Sequence, residues 1–187
     1  MKKIVLATLV GAVVVFVWNS IAHVALPIGT LGLSSLPNEE PVLQSLAASV
    51  HEPGLYFFPA IDMKSASKEQ RAAWEKKLHS GPSGLLVYRP SGGEAIAPWQ
   101  LVHEFLANLL EAAITAFLLS MMAASYGRRV LASTLLGLFG SATILLSYWI
   151  WYGFPALFVL GEIGEHMFGW LLAGLVMAKM IPPAGQR

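Results

Sequence analysis

Four of the eleven acidic residues, Glu104, Glu111, Glu162 and Glu165, lie in stretches otherwise rich in leucine, alanine, valine and phenylalanine. His23, His103, His166, Asn19 and Asn108 lie in similar surroundings. An ionised side chain in mid-bilayer costs at least about 2.5 kcal/mol on insertion scales, so such groups face a bundle interior or a partner rather than lipid. The spacing supports one shared site. Glu104, Asn108 and Glu111 follow i, i+4, i+7; Glu162 and His166 are i, i+4, with Glu165 on roughly the same side; Asn19 and His23 are i, i+4. Each set therefore forms a stripe on one helix face. All nine groups are expected at similar depth, as a buried cluster in the outward half of a helical bundle.

This cluster fits four chemistries. The carboxylates, amides and imidazoles can satisfy one another, or buried acids can stay protonated and donate, which locks the bundle or docks it to a partner. Carboxylates and imidazoles from several helices also build di-metal centres, with Glu104, Glu111, Glu162 and His166 as the candidate ligands. Such centres carry Glu-x-x-His on two helices, whereas this chain has Glu162-x-x-x-His166 and the adjacent pair Glu165-His166, with no second copy. Two of His23, His103 and His166 could hold haem b between them. A proton or ion relay is the fourth, although no acid or histidine series continues into the other half of the spans.

The elements that must position these residues are membrane spans. The chain has 187 residues, of which 56% are hydrophobic and only 12% charged, and its mean hydropathy is +0.62. Ordinary soluble domains carry about a quarter charged residues. The net charge of +1 gives no reason to seek nucleic acid, and the absence of cysteine excludes disulfides, iron–sulfur clusters, c-type haem and thiolate zinc sites. Four apolar runs reach the roughly 20 residues needed to cross a bilayer: Ile4 to Pro27, Pro98 to Ser125, Val130 to Tyr152 and Pro155 to Ile181. Pro98 and Pro155 suit helix starts; Pro27 and Pro182-Pro183 suit stops. The first run has a rival identity as a signal peptide, with Lys2-Lys3 before it and Ser20-x-Ala22 as a cleavage site, but it stays apolar for longer than a usual signal core.

The predicted fold is an all-α membrane protein: a four-transmembrane-helix bundle, with helix 1 in residues 1–27, an extracytoplasmic α+β insert in 28–97 and helices 2 to 4 in 98–187. Gly137-x-x-x-Ser141 and Gly169-x-x-x-Ala173 offer small faces for close helix contact, and Gly153-Phe154 leaves room only for a tight hairpin between the last two spans. The N-terminus, the predicted loop Tyr126–Arg129 and the C-terminal end hold six basic residues and no acids. The positive-inside rule then places both termini in the cytoplasm of a bacterial inner membrane. Trp99, Tyr148, Trp149, Trp151 and Tyr152 form the opposite interfacial belt, and the six tryptophans are mostly such anchors.

Within the insert, Asn38 is an expected N-cap ahead of Glu39 and Glu40, and Val42, Leu43, Leu46, Ala47 and Val50 share one helical face. A second helix is expected over residues 67–79, where Ser67 and Gln70 have capping-box spacing. Leu55–Phe58 and Leu85–Tyr88, each between a glycine and a proline, are expected to pair as strands. The insert is too small to hold much core alone, so its apolar faces should rest on membrane helices, lipid or a partner. No phosphate loop, dinucleotide fingerprint, zincin motif or nucleophile elbow occurs. The expected role is a non-catalytic accessory or assembly subunit of a larger inner-membrane complex, in contact with lipid and with a membrane-protein partner or a second copy. Its alternatives are a membrane oxidoreductase or metal- or haem-binding protein, and a relay. The four-span outline alone implies none of these.

Overall fold

The computed structural model describes residues 2–185. In chain order the elements are α1 (Lys2–Ser20), α2 (Glu39–Ser49), β1 (Gly54–Phe58), α3 (Lys68–Ser80), β2 (Gly84–Tyr88), α4 (Pro98–Met121), α5 (Tyr126–Tyr152) and α6 (Ala156–Met180). They divide into two units: Met1–Leu33 with Ala95–Arg187, and Ser34–Glu94.

The first unit contains four helices long and apolar enough to cross a membrane, over Lys2–Ala25, Pro98–Met121, Tyr126–Tyr152 and Ala156–Met180. Helix α1 continues into a π-helical turn, Ile21–Ala25, and stops at Leu26, which is extended as a residue before proline must be. A 3₁₀ turn, Pro27–Thr30, follows. Pro98 opens α4, and the Gln100 side chain accepts from the Ala97 N–H at 2.8 Å. Gly153, at φ +71°, ends α5 in the left-handed conformation that glycine adopts without penalty. The predicted tight hairpin to α6 follows directly.

The start of α5 departs from expectation. Tyr126–Arg129 forms its first turn instead of a loop. Arg129 is buried and donates from Nη1 to the Ala178 carbonyl at 3.1 Å, while the Tyr126 hydroxyl donates to the Leu175 carbonyl at 2.9 Å. The carbonyls at the C-terminal end of α6 carry partial negative charge, so a guanidinium is stabilised there.

Small residues set the packing. A Cβ on Gly137 would come within 2.6 Å of Trp170 and 2.8 Å of the His166 carbonyl, so α5 lies close along α6. Ser133 donates to the Trp170 carbonyl at 2.8 Å on the same seam. Helix α1 packs against both α4 and α6 around Ala7, Ala12, Val15, Ala112, Ala116, Leu119, Ala173 and Met177. The lateral order is therefore α4, α1, α6, α5, and α4 barely touches α5. The four helices thus form an open arrangement between α4 and α5.

In the second unit, β1 and β2 pair antiparallel as expected, from Gly54 opposite Tyr88 to Phe58 opposite Gly84. The predicted capping box forms: the Gln70 N–H donates to Ser67 Oγ and the Ser67 N–H to Gln70 Oε1. Asn38 precedes α2 but caps nothing; it is left-handed at φ 49° and its side chain makes no capping bond. No residue from 34 to 94 is buried, and Leu55, Tyr56, Phe57, Phe58 and Val87 are exposed on the two strands.

Candidate functional site

Helix α1 organises the polar residues by reaching two neighbours. Its Asn19 donates from Nδ2 to Glu104 Oε1 on α4 at 3.2 Å, and the same oxygen accepts from Asn108 Nδ2 at 3.3 Å. The i, i+4 relation on α4 thus carries an intrahelical bond, and Asn19 extends it across the seam. Four residues further along α1, in the π turn, His23 Nε2 lies 3.3 Å from Glu165 Oε1 on α6. The carbonyl of Glu165 accepts from Trp18 Nε1 at 3.0 Å, a second tie to α6.

The two remaining histidines each direct Nδ1 at the carbonyl four residues earlier in the same helix. His103 does so to Trp99 at 2.7 Å and His166 to Glu162 at 2.9 Å. A Nδ1–H donated in this way leaves Nε2 as the basic atom of each ring.

Between α4 and α5 the open bundle leaves a groove of about 600 Å³. Ile114, Leu136, Phe139, Ile144 and Leu145 form its apolar walls, and Glu111, Glu162 and His166 bring polar groups into it. Trp170 lines this groove and also a smaller cavity of about 140 Å³ beside it, bounded by Asn19, Glu104, Asn108, Glu111 and His166. Among the described residues, Glu111 makes no hydrogen bond.

Eight of the nine residues selected from sequence therefore lie in linked contacts or shared cavities of the first unit, but not as one buried cluster, and His103 contacts only Trp99 on its own helix. Glu165 and Asn108 are buried; Asn19, Glu162 and His166 are half-buried; His23, His103, Glu104 and Glu111 are exposed. The exposure of Glu111 follows from the opening between α4 and α5. The quartet Glu104, Glu111, Glu162 and His166 is divided. Glu104 is taken by two amides, Glu111 and His166 face the groove, and the donor atoms that approach ligand spacing are those of His23, Glu162 and Glu165, all within 4.8 Å of one another.

Trp18, Trp170 and Arg129 were not among the residues singled out. Trp170 is 4% exposed and belongs to the core, not to an interfacial belt. Its place near the middle of a long apolar run rather than at an end is the available signal. Comparison with known proteins finds no matching family model, no matching curated protein and no matching solved structure.

Proposed function

We propose that the protein is a non-catalytic accessory or assembly subunit of a larger complex in a bacterial inner membrane, and that the α4–α5 groove receives a transmembrane helix of its partner. The groove is the observation that carries this reading. Its walls are apolar, as a membrane-embedded seam requires, yet Glu111 projects a carboxylate that accepts no hydrogen bond from any described residue. A partner helix bearing a hydroxyl, amide or basic side chain would supply the missing donor, an exchange that lipid tails do not offer. Gly140 on the α5 wall, where an added Cβ would meet nothing, permits close backbone approach. The second unit adds a separate reason, since its strands expose apolar side chains on both faces and an isolated two-stranded sheet is marginal in water. On this reading both termini are cytoplasmic, favoured by Lys2, Lys3, Arg128 and Lys179, and the segment between α1 and α4 faces outward.

The test is the native mass of the protein extracted gently from its own membranes. The expected result is a species heavier than the monomer that contains another polypeptide at fixed stoichiometry. Glu111→Leu should lower the amount retained by about 3- to 20-fold, the size of one interhelical hydrogen bond of about 0.6 to 1.7 kcal/mol. A strict monomer with nothing co-purifying contradicts the proposal.

A further inference from the structure

A second polar site lies where α6 meets the end of α1, sharing Glu162 with the groove, and its geometry is that of metal ligands rather than of a hydrogen-bonded pair. Helix α1 departs from α-helical spacing over Ile21–Ala25, and π turns of this kind re-aim side chains and recur at functional sites. His23 sits in the middle of that turn. The chain then folds back through Pro27–Thr30, and the backbone of Gly29 lies against the imidazole so closely that a Cβ there would overlap His23 Nδ1. Further along, a Cβ on Gly32 would fall 2.7 Å from the Phe158 nitrogen, and one on Gly161 would fall 3.0 Å from Leu31. The ring is thus held from behind by a turn fitted to the start of α6, while its side chain keeps 46% exposure.

Glu165 faces this ring with a side chain only 1% exposed. Its Oε1 lies 3.3 Å from His23 Nε2, but without the direction of a hydrogen bond, and neither carboxylate oxygen accepts one from any described residue. A buried carboxylate without donors is costly. Glu162, one turn earlier on the same face of α6, brings a second carboxylate, and the three donor atoms lie within 4.8 Å of one another. Metal–ligand bonds of about 2.0 to 2.2 Å in a tetrahedral site put neighbouring donor atoms roughly 3.3 to 3.6 Å apart. The His23–Glu165 separation has that value, and Glu162 places a third donor atom within 4.8 Å of both.

We infer that His23, Glu162 and Glu165 bind one divalent first-row transition-metal cation. The charges agree: two carboxylates and a neutral imidazole cancel a divalent ion, so the occupied site adds no net charge to a low-dielectric region. One nitrogen and two oxygen donors suit zinc, manganese or ferrous iron better than soft copper(I). Three protein donors leave a position for water or another ligand. This site does not depend on the α4–α5 groove being a partner seat.

The full-length protein, stripped with chelator and held in lipid nanodiscs, is titrated with zinc by calorimetry and with cobalt by visible absorption. The expected result is one saturable zinc per chain and a cobalt d–d band of low-coordinate geometry. His23→Ala and Glu165→Gln should each weaken zinc binding at least tenfold. His103→Ala, the double substitution His51→Ala with His79→Ala, and Glu111→Leu should leave it unchanged. If Glu165→Gln does not fold, as judged by far-UV circular dichroism, His23→Ala at its exposed position decides alone. The inference is overturned if the wild type shows no saturable zinc, if His23→Ala binds as tightly as wild type, or if the bound zinc disappears with His51 and His79.

Discussion

Glu104 accepts from two amides that belong to two different helices, and this single oxygen ties α1 to α4. Hydrogen bonds between membrane helices average about 0.6 kcal/mol, with a maximum near 1.7, because the unfolded chain in lipid also finds partners. Glu104→Ala should therefore destabilise the protein by about 1 to 2 kcal/mol in a mild-detergent to dodecyl-sulfate titration. Glu104→Gln, which keeps an acceptor oxygen, should lose less than half of that. Equal losses would mean that side-chain volume rather than hydrogen bonding holds this seam. Helical spacing exposed this residue in the sequence: an acid in an apolar run with an amide four positions on is a visible pair. The partner from α1 was not readable, because spacing gives the face of one helix and says nothing of which neighbour it meets. His23 shows the same limit. Its i, i+4 relation to Asn19 assumes an α-helix, and the π turn carries it away to Glu165.

At the level of elements, the strands, their pairing and the α3 capping box were legible because turn residues and capping spacing are local signals. The first turn of α5 was not. Two arginines beside a glycine look like a solvated loop, and only the carbonyls at the end of α6 make a buried Arg129 favourable. The approach to α3 carries a pH dependence. The Ser65 hydroxyl, and then the Lys64 N–H, hold the Asp62 carboxyl below its usual range, and the Ser67 hydroxyl does the same for Glu69. Groups depressed in the folded state stabilise it above the ordinary carboxylate value near about 4 and lose that contribution as the pH falls through the folded value. Amide hydrogen exchange, corrected for intrinsic rates, should thus show residues 64–70 losing protection as the pH falls below about 4. Asp62→Asn should flatten most of the response. Unchanged protection in the wild type down to strongly acidic pH would contradict this linkage.

The whole molecule departs most from expectation where α4 and α5 separate. They follow one another in the chain through residues 122–125 only, and short connections ordinarily make antiparallel neighbours. Here α6 draws α5 to itself through Gly137 and Gly174 and meets α1 through Gly169, which lies against Trp18. Trp170 stands on α6 where the two helices would otherwise close, touching Gly137 of α5 and sharing the core with Ala112 and Ala116 of α4. Four apolar runs fix the number of helices; their lateral order depends on which small faces win, a competition that pattern alone does not resolve. The resulting groove underlies the proposed role. It is tested most directly by a photoreactive amino acid placed in growing cells at Ile144, on the groove wall, and at Val13, a site of comparable exposure on α1. The account predicts a discrete protein adduct from Ile144 and none from Val13; lipid adducts alone from both positions would contradict it.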